Sequence, residues 1–429
     1  MITIEELYNF YKNHPEISTD TRNISPNSLF FALKGDRFNG NYFAKEALEK
    51  GASFAICDEK TDSDSRIIIV ENVLETLQKL AIHHRDTLKI PIIGITGTNG
   101  KTTTKELLQT ILKTKYFVLA TLGNLNNHIG VPLTLLSITN QHEIAIIEMG
   151  ANHIGEIADL CTIAKPTHGI ITNIGKAHLE GFGSTEGVIQ AKRALYDYVI
   201  KNNGKLIVDS DNELLMKLSE NADRFLYGEK FGNIVGKISI NAPQISVLVE
   251  EKNTHIHTQL VGSYNLKNIL AAIATGRLFN IDMDTIANAL SFYQPQNNRS
   301  QLIKGKNNTI IMDAYNANPS SMIESLNNLQ NISHNNKVII LGDMLELGTE
   351  SINEHQKIVD KIKEMDLNQS ILIGECFSKI QKPDSIQTFQ STADAILFLE
   401  KNPILKALIL IKGSRGLKLE NVLPYIEKA

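Results

Sequence analysis

The sequence predicts an α/β protein whose largely parallel sheets are covered by helices on both faces, arranged as three successive units along 429 residues. Three observations predict it. Short β-branched runs alternate with helix-like stretches, at 67–70, 92–95, 144–147, 169–172, 206–208, 310–312, 338–341, 371–373 and 408–411. These runs are continuously apolar, the pattern of strands buried on both faces in parallel sheets. The chain also exceeds what one core sustains at roughly 100–200 residues per domain, and 42% of its residues are apolar, enough for several cores.

The elements follow in chain order. Residues 77–89 read as a helix leading into the apolar run at 90–95, so a first unit, 1–86, ends there. The run opens into GITGTNGKTTT at 94–104, followed by a helix-like segment at 105–113. A strand, a glycine turn and a helix start form a phosphate cradle. Glycines free backbone N–H groups to face anionic oxygens, the helix N-terminus adds positive potential, and a lysine and a hydroxyl complete the site. Gly97, Thr98, Asn99, Gly100, Lys101, Thr102 and Thr103 are therefore candidate nucleotide ligands, with Thr102 suited to Mg²⁺. The spacing is not that of an ordinary Walker A loop, because Ile95 stands where that pattern has a glycine.

Later strands end in chemistry-bearing residues. EIAIIEMGA places Glu148 at the carboxyl end of a buried strand, the edge where ligands sit in open α/β sheets, and a carboxylate there can hold Mg²⁺. The next strand ends in HGIITNIGKAHLEGFGS, which brings Asn173, Gly175 and His178 toward the same edge. His178 reads equally well as a metal ligand or a satisfied histidine. Lys192 falls on a helix at STEGVIQAKRALYDY, where a solvated lysine is the ordinary expectation. LVGSYNLKNILAAIA sets Tyr264, Asn265 and Asn268 at a turn and helix start, where Asn265 can face a base edge or cap the helix.

The polar stretch at 291–301, SFYQPQNNRSQ, separates a nucleotide unit, 87–296, from a third, 297–429. In IIMDAYNANPSSM, Asp313 ends a strand as Glu148 does, and Tyr315, Asn316, Asn318 and Pro319 make a ligand-facing loop. LGDMLELG and IKGSRGLKLE end two more strands, the latter grouping Lys412, Ser414 and Arg415 in a cationic turn able to bind a carboxylate.

Composition excludes several classes. Forty-three basic residues against 47 acidic give a net charge of −4, so no nucleic acid or anionic membrane is expected as partner. The start, MITIEELYNFYKNH, lacks the pattern of a signal peptide, and no run approaches the ~18 apolar residues of a membrane span. Cys57, Cys161 and Cys376 are too scattered for a disulfide framework or zinc knuckle. A cytoplasmic location is expected.

With these clusters assembled, the chain resembles the Mur ligases of peptidoglycan synthesis over essentially its whole length. TGTNGKTT alone is shared with folylpolyglutamate synthases; combined with STDTR, FALKGDRFNG, EMGANHIGEI, NIGKAHLEGFGS, DAYNANP, LGDMLELG and KGSRG it is far more specific. The resemblance implies a small N-terminal α/β domain binding UDP, a central doubly wound P-loop ATPase domain with a mostly parallel sheet, and a C-terminal Rossmann-like α/β domain. It implies an ATP-dependent ligase, acting as a monomer, that joins D-alanyl-D-alanine to UDP-N-acetylmuramoyl-tripeptide. Ser18, Thr19, Asp20, Thr21, Arg22, Lys34, Gly35, Asp36, Arg37 and Phe38 would hold UDP, and Asn316, Asn318, Lys412, Ser414 and Arg415 the dipeptide. Asn265, Asn268, Arg299 and Asp313 would join the phosphate loop around ATP. Lys101, His178 and Lys192 would be catalytic. Of two Mg²⁺ sites, one would use Thr102 and Glu148, the other His178 and Lys192 as an N6-carboxylysine carbamate. Arg193 and Ala194 stand where the family usually has glycine and an acid, and Tyr264 where many members have histidine. The competing readings are a sister ligase adding another amino acid, a folylpolyglutamate synthase, and a phosphate-loop regulator. DAYNANP and KGSRG favour the dipeptide-adding branch, and a regulator leaves the later strand-end clusters unexplained.

Overall fold

Three sheets, met in chain order, carry the architecture in a computed structural model that describes residues 2–60, 64–176 and 179–427. The first is a four-stranded parallel sheet, ordered Ile17–Ser18, Leu29–Phe31, Phe54–Cys57, Ile67–Ile69, with a hairpin of Lys34–Gly35 against Phe38–Asn39 beside it. Helix Ile4–Asn13 begins with a capping box, Thr3 and Glu6 satisfying each other's backbone N–H groups. Helix Val73–Thr87 joins this unit to the next. His84 and Arg85 on its last turn reach the carbonyls of Ile138 and Ala164, at 2.8 and 2.9 Å, and Leu77 and Leu80 share a core with Ile157 and Leu160.

The central sheet has nine strands. From one edge they run Val118–Ala120, Ile144–Glu148, Ile92–Thr96, His168–Ile171, Lys205–Asp209, Asp223–Gly228 and Ile234–Ala242, all parallel, then Gln244–Val249 and Thr254–Val261 antiparallel. Alternate residues of one strand enter two different cores. Ile92, Ala145 and Ile147 face helices Glu156–Ala164 and Thr185–Lys201, while Ile93, Ile95, Ile144 and Ile146 face Lys101–Leu112 and Asn265–Leu278. Burial on both faces is why these strands are apolar throughout.

The third sheet is ordered Gln301–Lys304, Thr309–Asp313, Leu408–Lys412, Lys337–Gly342, Gln369–Ile373, Ile386–Phe389, parallel except for its first strand. It is covered on both faces as well: Ile311, Ile339 and Leu410 enter one core, Ile310, Ile340 and Ile409 the other. All nine apolar runs in the sequence are strands. The antiparallel extension at 234–261 is additional; in its first strand buried Ile234 and Gly236 alternate with partly or fully exposed neighbours, and within its second strand the apolar run is only Val247–Val249, behind buried Ser246.

Candidate functional site

The strand Ile92–Thr96 lies between Ile144–Glu148 and His168–Ile171. The chain leaves it toward one edge and later crosses to its other side, so this is the switch point where ligand crevices open in such sheets. The loops after all three strands meet there, around a cavity of about 860 Å³.

The phosphate loop is held from the third of these strands. The N–H groups of Thr98 and Asn99 donate to the backbone and side-chain oxygens of Asn173, both at 2.9 Å, and the Thr98 hydroxyl donates to the Gly175 carbonyl at 3.1 Å. The N–H groups left facing the cavity are therefore those of the turn's end and the first helical turn, beginning at Lys101. Two glycines make this possible. Gly97 has φ +150° and a Cβ there would lie 1.9 Å from Thr172 Oγ1; Gly100 has φ +80° and a Cβ would lie 2.3 Å from Asn268 Oδ1. The helix expected from 105 in fact starts at Lys101, whose Nζ folds back onto the carbonyls of Gly97 and Thr98 at 2.6 and 3.1 Å.

Glu148 is almost wholly buried. Its Oε2 accepts from Thr102 Oγ1 at 3.0 Å and lies 3.4 Å from Lys105 Nζ, while Oε1 accepts from Asn126 at 2.8 Å. Burial opposes its charge, yet Lys105, Lys101 and Asn126 outweigh that and keep its carboxyl below the usual carboxylate range. A buried anion beside a hydroxyl is a pair of hard oxygen donors. Burial pushes Lys101 down, with Glu148 opposing that shift and Arg299 adding to it.

Lys192 overturns the expectation of a solvated lysine. It lies on the inner face of helix Thr185–Lys201 beside Val188, Ala191 and Leu195, and is 3% exposed. Its Nζ sits 5.8 Å from the centre of the Phe182 ring. Burial first, and the nearby Lys101 second, hold its ammonium well below the ordinary lysine range. His178 lies outside the described residues.

The third unit closes the cavity. Arg299 lays its guanidinium on Tyr315, 3.6 Å from the ring centre, and leaves its buried Nε without a partner. Asp313 accepts from the Ser300 N–H at 3.3 Å and Ser325 Oγ at 3.2 Å, and forms a buried ion pair with Lys412. It caps no helix. Helix Pro319–Asn331 is capped by Asn318 instead, in a box with Ser321. Asn318 Nδ2 also reaches across to Asn99 Oδ1 at 2.7 Å, and Asn99 Nδ2 donates to Ser320 Oγ at 3.0 Å.

Asn265 and Asn268 line the cavity, but their amides bind one another at 2.9 Å and also Val261, Ser300 and Thr104. Neither caps: Tyr264 stands at the cap position. Asn316 lines the cavity with its oxygen on the Ala317 N–H.

Not every expected ligand reaches the space. The grouping of Lys412, Ser414 and Arg415 is split: Lys412 points at Asp313, the Ser414 hydroxyl accepts the Leu345 N–H at 3.0 Å, and Arg415 turns outward to Glu420 at 2.6 Å. The loops at 18–22 and 34–38 also do not line it. Asp20 caps a short turn and pairs with Arg22, and Lys34 pairs with Asp58 and Glu59 at 2.9 and 2.8 Å. Tyr315 lines the cavity as its loop position implied, whereas sequence reasoning missed Lys105, Asn126, Asn127 and His128. TLGNLNNHIG at 121–130 carries the only signal for three of them, an Asn- and Gly-rich turn after a short strand.

Family models match three consecutive blocks: the Mur ligase family catalytic domain at 15–94, the Mur ligase middle domain at 95–276, and the Mur ligase glutamate ligase domain at 298–415. The chain is 34% identical to the UDP-N-acetylmuramoyl-tripeptide–D-alanyl-D-alanine ligase of Bacillus subtilis (strain 168), over 95% of this chain and 92% of that one. It is 36% identical to the enzyme of the same name from Buchnera aphidicola subsp. Baizongia pistaciae, over 96% and 92%. A crystal structure of MurF from Acinetobacter baumannii superposes with a TM-score of 0.87 at 30% identity, covering 95% and 92%. MurF ligase from Thermotoga maritima in complex with ADP gives 0.85 at 29% identity, covering 96% and 97%. Among the described residues no helix is long and apolar enough to cross a membrane.

Proposed function

The chain belongs to the Mur ligase family, and we propose that it joins D-alanyl-D-alanine to UDP-N-acetylmuramoyl-tripeptide at the expense of ATP. One observation carries the reading: a single cavity is lined by the phosphate loop, Glu148, Lys192 and the third unit's loop from Asp313 to Ser321. A nucleotide, an activated carboxylate and an incoming amine need such a shared space. We assign the UDP handle to residues 1–86, ATP to 87–296 and the dipeptide to 297–429, and place a monomeric enzyme in the cytoplasm, where ATP is supplied.

The tripeptide's terminal carboxylate oxygen attacks the γ-phosphorus of ATP, the bond to the β-phosphate oxygen breaks, and ADP leaves. The dipeptide's neutral amine then attacks the acyl-phosphate carbon, phosphate departs and one amine proton is lost. Activation is required because a carboxylate is a poor electrophile. The unpaired N–H groups of the first helical turn and Lys101 would stabilise charge on the transferring phosphoryl group. Lys101 must first exchange the carbonyls of Gly97 and Thr98 for phosphate oxygens.

Thr102 and Glu148 fit Mg²⁺, since a buried carboxylate kept ionised stands 3.0 Å from a hydroxyl. When bound, the ion would neutralise β- and γ-phosphate charge. A second ion would draw on His178 and Lys192. Burial disfavours the ammonium form of Lys192, and the neutral amine is a nucleophile for CO₂: its Nζ would bond the carbon, one proton would leave, and an anionic oxygen donor would result. Arg299, whose Nε has no hydrogen-bond partner among the described residues, would face the nucleotide from the third unit. Lys412 is already neutralised by Asp313, so Asn316 is the third unit's best placed polar group for the dipeptide.

The test is ADP release by the purified protein with each substrate alone and with both. Release only when both are present supports the reading. Turnover with a single amino acid but not with the dipeptide would favour a sister ligase, and hydrolysis indifferent to both would favour a regulator.

A further inference from the structure

We infer that Asn99 is a positioning residue that couples the phosphate loop to the third unit, rather than a ligand of the nucleotide. The inference rests on the ligase reading for its kinetic arm only. The backbone of Asn99 is fixed entirely within the central unit: its N–H donates to Asn173 Oδ1 at 2.9 Å, and its carbonyl accepts from Thr172 Oγ1 at 2.5 Å and Asn173 Nδ2 at 3.1 Å. Its side chain is spent entirely on the third unit. Oδ1 accepts from Asn318 at 2.7 Å and Nδ2 donates to Ser320 at 3.0 Å, more than two hundred residues along the chain.

The partners are themselves oriented. Asn318 Oδ1 accepts from the Ser321 N–H at 2.9 Å as the helix cap, and from Ser320 Oγ at 2.9 Å. The contact therefore specifies the direction of helix Pro319–Asn331, whose preceding loop carries Asn316 and Asp313. Asn99 also lies between the carbonyls that Lys101 now binds and the helix start that faces phosphate. A phosphate that draws Lys101 off those carbonyls changes the loop on one side of a residue whose other side holds the third unit. Occupancy of the loop is thus transmitted to the third unit, on the acceptor side of the cleft, through two hydrogen bonds.

Four variants test this: Asn99→Ala, Asn318→Ala, the pair together, and Ser320→Ala, which removes one of the two bonds and leaves the cap. Each is measured for affinity to fluorescently labelled ADP, for compaction on adding ADP by small-angle X-ray scattering, and for kcat and KM of the acceptor dipeptide. ADP affinity is expected to stay within about twofold of the parent, while kcat over KM for the dipeptide falls about tenfold in either asparagine variant and about threefold in Ser320→Ala. The paired variant should fall well short of the product of the two single losses, because both singles remove the Asn99–Asn318 bond, Asn99→Ala removing the Ser320 bond besides and Asn318→Ala the helix cap. Compaction by ADP should be lost in both asparagine variants whether or not the dipeptide is the true acceptor. An Asn99→Ala protein that loses ADP tenfold while Asn318→Ala keeps it, one that compacts normally, or losses that multiply in the paired variant would overturn the inference.

Discussion

Replacing Gly100 by alanine isolates the element on which nucleotide binding rests. Gly100 ends the phosphate loop with φ +80° immediately before helix Lys101–Leu112. A left-handed backbone costs an alanine roughly 1–2 kcal/mol. The added Cβ would also stand 2.3 Å from Asn268 Oδ1, so Asn268 must swing away and give up the bond it accepts from Thr104 at 3.2 Å, worth about 1 kcal/mol. The sum, about 2–3 kcal/mol, corresponds to roughly 30- to 150-fold weaker ADP binding when the loop must keep its present shape to accept phosphate. Titration calorimetry with ADP measures it, alongside a melting curve showing that the fold survives. In an Asn268→Ala background only the backbone part remains, and the same substitution should cost roughly 5- to 30-fold. A Gly100→Ala protein that binds ADP within twofold of the parent would refute the loop geometry as the determinant.

Lys192→Ala should cripple ligation, with partial recovery in millimolar acetate or another short carboxylate that replaces the missing anion; full activity without additive would end the carbamate reading. Because burial and Lys101 hold Lys192 well below its ordinary 10.5, the folded chain loses this proton at lower pH than the unfolded chain does. Stability therefore rises with pH from the depressed folded-state value up to about 10.5. Lys192→Met in CO₂-depleted buffer should exceed the parent in stability at the bottom of that interval. The gap should close with rising pH by up to about 1.4 kcal/mol per unit, whereas a constant gap would contradict the neutral amine. Arg299→Ala should raise the KM for ATP roughly 10- to 150-fold, the range of a charge-assisted hydrogen bond, with only a modest fall in melting temperature from loss of the stack on Tyr315; an unchanged KM would remove Arg299 from the nucleotide site.

The legible parts of this fold are those where one physical demand sets the residue type. Strands buried on both faces must be apolar throughout, so Ile92–Thr96 and Thr309–Asp313 announce themselves. The extension at 234–261 serves two environments in alternation and does not. The phosphate loop was readable because only glycine tolerates the backbone at Gly97 and Gly100 and the contacts made there. Lys192 was not, since a lysine on a helix looks the same whether it faces water or a core, and only packing beside Val188 and Leu195 decides. Nor could sequence show that Asp313 and Lys412, 99 residues apart, neutralise each other, because register between parallel strands brings them together. The same holds for Asn99, a loop residue by position and an inter-unit contact by geometry.

The central claim is that ATP activates the tripeptide's carboxylate for attack by the dipeptide. Carrying ¹⁸O in that carboxylate through a single turnover tests it most directly, with mass spectrometry of the released phosphate and of the peptide product. The account predicts one ¹⁸O in phosphate for each amide formed, the other remaining in the peptide, and none transferred when D-alanyl-D-alanine is withheld. ADP release with both ¹⁸O atoms retained in the peptide precursor would contradict it.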